Sequence, residues 1–205
     1  MYYISCEDLI WDIIAHSPPN KVFALNDFKS CGSNDAIRKA LSRASLTKKL
    51  LRIVDGVYTL PSNPSPSPGE VASALTRNHY WTVLPCTEYA RFYLKLSDVY
   101  PSDDCFYSTG PTETYSYGPP TDRKHLKLIR ITKRFVHELS FGAAVVVIAL
   151  MDLDEHKITA EEVYSLSKSL TKDVKDELIS RLHLIPARLR PVIEIICDRY
   201  GRSSR

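Results

Sequence analysis

"DAIRKALSRASLTKKLLRIVDGVYTLP", residues 35 to 61, changes period halfway along. Ile37, Ala40, Leu41 and Ala44 recur at the spacing of one helix face, leaving Asn34, Arg38, Lys39, Ser42, Arg43 and Ser45 on the other side. From Leu51 onward the spacing becomes that of a strand: Leu51 and Val54, then Val57, Tyr58 and Leu60, flank Asp55-Gly56, a two-residue hairpin signal. The switch falls on Lys48 and Lys49, so a cationic helix runs straight into a small hairpin.

Working outward, Glu7 to Ser17 carries Leu9, Ile10, Ile13 and Ile14 on one helical face, and "SPP" stops it because proline supplies no backbone donor. "KVFALNDF" begins extended. Asn26 is expected to cap a brief helix through Lys29, and Ser33 or Asn34 to cap the longer one running to about Lys48. Helix, short strand, helix, turn, helix, hairpin is the order of a winged helix-turn-helix, expected over residues 1–60.

"PSNPSPSPGE" follows, with a density of proline and serine that favours an extended connector, and 61–69 is expected to be a linker. Beyond it, residues 70–205 are expected to form a second, mixed α+β domain with a small sheet and several helices. Helical patterns cover Glu70–Asn78, Thr87–Leu96, Phe141–Leu153, Ala160–Leu170, Thr171 or Lys172 to His183, and Ala187–Tyr200. "CFYST", "ETYSYG" and "LKLIRI" are β-like. The fold class expected for the whole chain is therefore α+β.

Charge gives the first unit a direction. The chain has 27 Lys/Arg, 24 Asp/Glu and a net charge of +3, which alone singles out no partner. Yet between Asn20 and Val54 eight cations meet only Asp27 and Asp35. A helix can enter the major groove of duplex DNA while an adjoining hairpin reaches phosphates or the minor groove beside it. On that reading Arg38 and Arg43 suit guanine edges, Ser33, Asn34 and Ser42 suit bases or phosphates, and Lys39, Lys48, Lys49 and Arg52 supply charge. A winged helix can instead dock proteins, and a cationic face can be plain solvated surface. Arg181, Arg188 and Arg190, with Arg199, Arg202 and Arg205 after them, form either a second cationic surface or a solvated face offset by Glu194 and Asp198.

Signals for catalysis are weaker. His16, His79, His125, His137, His156 and His183 lack zinc-site spacing, so no metal is expected. Cys6, Cys31, Cys86, Cys105 and Cys197 are odd in number and contain no C-x-x-C, the pattern of a reduced, intracellular protein. Cys86 with His79, or Cys197 with His183, could serve as nucleophile and base, against the plainer reading of Cys197 as a small buried hydrophobe. Glycine-rich phosphate loops and clustered carboxylates are absent from the sequence, and no cofactor is expected. "FYSTGPTETYSYG" could stack nucleotides or be an ordinary hairpin. The apolar run Phe141–Met151 is too short to cross a hydrocarbon core of roughly 30 Å, and acids interrupt the N-terminal apolar stretch where a signal peptide would be basic. No membrane association and a cytoplasmic location are expected.

The run "KVFALNDFKSCGSNDAIRKALSRASLTKKLLRIVDGVYTLP" resembles the N-terminal module of the AbiEi antitoxins of bacterial type IV toxin-antitoxin, or abortive-infection, systems. It does so in the V-F-x-x-x-D-F entry, the S-N-D-A-I-R-K-A-L-S-R helix and the L-x-R-I-x-D-G-V-Y-T-L-P hairpin. "EVASALTRN", "LPCTEYARFYLKLS", "FYSTGPTETYSYG" and "IPARLRPVIEII" resemble that family's second domain in order and approximate spacing. The long Pro/Ser connector and the cysteine and tyrosine content depart from its usual pattern. The resemblance implies a non-enzymatic, phage-defence antitoxin. Its first domain would bind operator DNA, as monomer or weak dimer, and repress its own operon; its second would counter a nucleotidyltransferase-like toxin without a tight complex. The alternative is a transcription regulator unconnected to any toxin, whose second domain senses a ligand or mediates assembly; an enzyme with a DNA-targeting module is a more distant third.

Overall fold

The computed structural model describes residues 4–63, 65–101, 104–151 and 158–197. It is a mixed α+β protein with small sheets, and it divides into two compact units, Met1–Val83 with Gly110–Leu128, and Leu84–Thr109 with Ile129–Arg205. Among the described residues no helix is long and apolar enough to cross a membrane.

The first unit begins with α1 (Cys6–Ala15), started by a reciprocal cap in which the Ser5 hydroxyl accepts the Asp8 amide and Asp8 accepts the Ser5 amide. Those bonds from Ser5 hold the Asp8 carboxyl below its ordinary range. β1 (Phe23–Ala24) and a 3₁₀ turn over Leu25–Phe28 follow. Asn26, expected to cap a short helix, does not do so. Asp27 accepts the Ala24 amide instead, and the Asn26 side chain donates to the carbonyls of Arg77 and Asn78. α2 (Asn34–Leu46) is capped by Ser33, whose hydroxyl accepts the Ala36 amide. Its buried face is the one the sequence spaced out: Ile37, Ala40, Leu41 and Ala44 pack against Ile10, Ile14, Phe23, Phe28, Leu50 and Tyr58. Burying Ile37 and Leu41 fully stabilises the unit by roughly 2 kcal/mol each.

β2 (Leu51–Val54) and β3 (Val57–Thr59) form the expected hairpin, and β1 joins it antiparallel in the order β1-β3-β2. Gly56 takes φ +70° in the turn, and a Cβ there would meet the Asn78 side-chain nitrogen at 2.8 Å, so both backbone and space require glycine.

The first unit does not end at the expected linker. Asn63 donates to the Asn20 carbonyl, Thr59 donates to the Asn63 carbonyl, and Pro66 and Pro68 are buried. Pro68 opens α3 (Pro68–His79), where a missing N–H costs nothing, behind a Ser67/Glu70 capping box. α3 lies against β1, the 3₁₀ turn and β3. The prolines therefore start a helix of the first unit.

β4 (Val83–Pro85) spans the chain position where the first unit gives way to the second, and α4 (Thr87–Tyr93) and β5 (Cys105–Ser108) belong to the second. β6 (Glu113–Tyr117) and β7 (Lys124–Arg130) then form an antiparallel hairpin, and Gly110–Leu128 counts with the first unit. Trp81 lies flat on Gly110, so close that a Cβ would come within 2.3 Å of the indole. Gly110→Ala is therefore expected to cost about 2 kcal/mol through overpacking, read as a lowered midpoint in chemical denaturation with an unchanged slope.

The second unit also holds α5 (Phe135–Glu138), α6 (Phe141–Met151), α7 (Ala160–Ser169), α8 (Lys172–Ser180) and α9 (Arg190–Ile196). α6 is apolar on every side and has eight successive buried residues, Ala143 to Leu150, because α4 and α8 lie against it. Its core includes Leu84, Phe135, Leu166, Leu178 and Ile193. Arg91 and Glu162 cross this unit at 2.7 Å with side chains only 22% and 20% exposed. Burial pushes the Glu162 carboxyl up, but the Thr159 bonds and the Arg91 guanidinium outweigh it and hold the group below the ordinary glutamate range. A depressed folded pKa gives stability that is present above the unfolded value and lost as pH falls through the folded one. Glu162→Gln is expected to lower stability by about 1.5 kcal/mol at neutral pH, with the deficit shrinking in thermal melts as pH drops below 4.5, the ordinary glutamate value.

Candidate nucleic-acid interface

α2 turns its polar side to solvent, with Asn34, Arg38, Lys39, Ser42 and Arg43 all exposed, while Ser45 is half-buried. The cations diverge in their bonding. Arg43 donates to Glu7 of α1 at 3.2 Å, an exposed pair worth little to stability but enough to draw the guanidinium toward α1. Among the described residues no carboxylate pairs with Arg38, which is exposed. Burial raises the Tyr58 phenol's pKa; Arg52 opposes that rise, Asp55 adds to it and Arg38 opposes it, so both guanidinium groups lie within electrostatic reach of this one ring.

At the junction Lys48 takes a left-handed backbone, φ +56°, which ends the helix and redirects the chain into β2. Lys49 holds its ammonium 5.8 Å above the Trp11 ring, and Arg52 pairs with Asp55 across the hairpin turn. Ser33 has its hydroxyl oxygen engaged as the helix cap and retains its proton to donate. Arg38, Lys39, Lys48 and Arg52 thus remain as exposed cations on α2, its exit and the hairpin, Arg52 sharing its charge with the exposed Asp55. Leu46, 81% exposed at the end of α2, was not singled out by the sequence pattern; its place outside the Ile37/Leu41/Ala44 spacing was the signal that it faces solvent.

The second set of basic residues is arranged differently. Arg181 donates to the Glu138 carbonyl, Arg188 to the Met151 carbonyl, and Arg190 to the carbonyls of Ile185 and His183 at 3.0 and 3.4 Å. All three tie down helix ends and turns of the second unit, which explains their presence without a ligand. Arg199, Arg202, Arg205 and Asp198 lie outside the described residues, as does His156.

The thiols and imidazoles considered from sequence sit in different surroundings. None of the five cysteines is in a disulfide. Cys86 is hydrogen-bonded to Cys105, and that bond, then burial, drives its pKa far up, away from the thiolate a nucleophile needs. His79 stacks on Trp81 with ring centres 4.3 Å apart. Cys197 packs partly buried against the second core, while His183 is exposed. Among the described residues no three His, Cys, Asp or Glu side chains converge as metal ligands would.

Residues 9–178 match the family described as "Family of unknown function (DUF6088)". No curated protein matches the chain.

Proposed function

We propose that this chain, which belongs to the family of unknown function DUF6088, is a DNA-binding repressor built on a winged helix-turn-helix and acting as the antitoxin of a type IV toxin-antitoxin pair. The observation that carries the DNA half is that α2 leaves Arg38 and Lys39 exposed, with Lys48 exposed at its exit and Arg52 exposed on the adjoining hairpin. A helix and a ribbon that present cations side by side suit a major groove and its flanking phosphates. In this reading α1, the 3₁₀ turn and α2 are the three helical segments, β2–β3 is the wing, and Arg38, Asn34 and Ser42 read bases.

The antitoxin half rests on the resemblance carried by residues 21 to 61 and by the motifs of the second half. In that role the second unit opposes a nucleotidyltransferase-like toxin and performs no chemistry of its own; a Cys86 thiol held protonated beside Cys105 is in keeping with this. Binding of a labelled duplex from upstream of the chain's own gene, followed by anisotropy across a salt series, tests the DNA half. Three phosphate contacts from Lys39, Lys48 and Arg52 contribute about −2.7 to the slope of log affinity against log salt, taking roughly 0.9 per contact. Growth rescue on coexpression with a neighbouring nucleotidyltransferase gene tests the other half. Rescue without such a partner, or none with it, would leave a repressor unconnected to a toxin.

A further inference from the structure

The β6–β7 hairpin folds largely with the unit that carries α2 and the wing. Residues 110–128 come from the middle of the second unit's sequence and pack with the first, where β6 lies against β2, the strand that carries Arg52.

The pairing register sorts its side chains. Thr114 stands opposite Lys127 and Ser116 opposite His125, and all four are exposed. Tyr115 stands opposite Leu126, Glu113 opposite Leu128, and Tyr117 opposite Lys124, with Leu126, Leu128 and Tyr117 buried. Because successive strand residues alternate faces, the strand's acid, Glu113, falls on the side away from Lys127, where Tyr115 donates to it at 2.7 Å. Lys124 is likewise removed from the outer face and reaches the Ser65 carbonyl.

What remains outside is a row of hydrogen-bond donors without a carboxylate: two hydroxyls, an imidazole bonded through Nδ1 to the Ser116 hydroxyl at 2.9 Å, and the Lys127 ammonium. Arg123 extends the row, exposed at the start of β7, with Asp122 beyond it in the turn. A solvated strand face ordinarily mixes signs. A row of hydroxyl and cationic donors is instead the side-chain set that holds phosphate oxygens in protein–DNA interfaces.

We propose that the outer face of the β6–β7 hairpin is a second phosphate-binding element that grips the backbone of the duplex beside the wing. The proposal rests on the DNA-binding reading and adds Arg123 and Lys127 as sequence-blind contacts, with Thr114, Ser116 and His125 as neutral donors. Since two more counterion-releasing contacts act together, the wild-type slope steepens to about −4.5.

The test uses the full chain and the labelled upstream duplex in a salt titration. In the Arg123→Gln/Lys127→Gln chain the slope is expected to flatten by about 1.8, with affinity down about 60-fold at 0.1 M salt. Lys133→Gln/Lys172→Gln, which removes two exposed charges from the second unit, is expected to match wild type. If the hairpin variant equals wild type while Arg38→Ala still loses binding, the hairpin contact is wrong and the DNA reading stands. If the control falls as far as the hairpin variant, only net charge is being sensed and the proposal fails. A wild-type chain that binds no duplex overturns both. Far-UV circular dichroism confirms that each glutamine variant is folded, as exposed positions permit.

Discussion

An Arg38→Ala chain is expected to bind its upstream duplex about 50-fold more weakly than wild type, within the 1–3 kcal/mol that a bidentate guanine contact contributes. Arg43→Ala is expected to lose no more than about 5-fold. Sequence position treats the two arginines alike, one on each flank of the same polar face. Their surroundings separate them: Arg43 is drawn to Glu7 on α1, whereas among the described residues no carboxylate pairs with Arg38. Both variants should unfold within about 0.5 kcal/mol of wild type, because both side chains are exposed. Combined with Arg43→Ala, Arg38→Ala is expected to abolish repression of a reporter and spare growth rescue from the toxin. Loss of both activities together would mean that reading DNA and opposing the toxin are not divided between the two halves.

The largest expected loss of stability is at Arg77, the point where α3 is fastened to the rest of the first unit. Its Nε and Nη2 donate to the two carboxylate oxygens of Asp27 at 3.0 and 3.1 Å, Nη2 also donates to the Val22 carbonyl at 2.7 Å, and Nη1 to the Ser73 hydroxyl at 3.2 Å. Asp27 is 16% exposed, so removing its partner strands a nearly buried charge. Breaking such a pair costs about 3–5 kcal/mol when fully buried. Arg77 itself is 38% exposed, which places Arg77→Met near the lower end of that range. For a unit of this size the melting temperature should fall on the order of 15 °C. Asp27→Leu added to Arg77→Met is expected to restore part of the loss, since no lone carboxylate remains. The recovery stays partial because the Ala24 amide also depends on Asp27. A double variant less stable than Arg77→Met alone would show that the carboxylate's other bonds outweigh its stranded charge.

Arg77 and Asp27 also mark the limit of what can be read from the chain. The apolar period of α2 and the Asp-Gly turn are local signals, and both elements form within a residue or two of where the pattern puts them. So does α6 over its described residues, Phe141–Met151. The stretch 61–69 misleads because proline density has two outcomes: it stiffens a connector, or it opens a helix, as Pro68 does. Only the bonds of Arg77 and Asn78 to Asp27, Asn26 and Gly56 decide between them, and these join residues 22 to 52 positions apart.

The same holds for the candidate interface. Spacing identified which residues of α2 face outward, since a face is a property of one helix. It could not say that Arg43 belongs to α1, that Lys49 covers Trp11, or that Arg181, Arg188 and Arg190 are absorbed by carbonyls, since each of those partners lies on another element. The hairpin at residues 113–128 was legible as two strands. Its membership in the first unit was not, because nothing in a strand's own alternation names the core it will cover.

The central claim is that α2 and the β2–β3 hairpin form one surface that faces duplex DNA. Titrating the upstream duplex into isotopically labelled full chain, while following backbone amide resonances, reads that surface directly. The shifts are expected to concentrate on residues 33–49 and on the turn around Asp55 and Gly56. Shifts confined to α4 through α9, or none at saturating duplex, would contradict it.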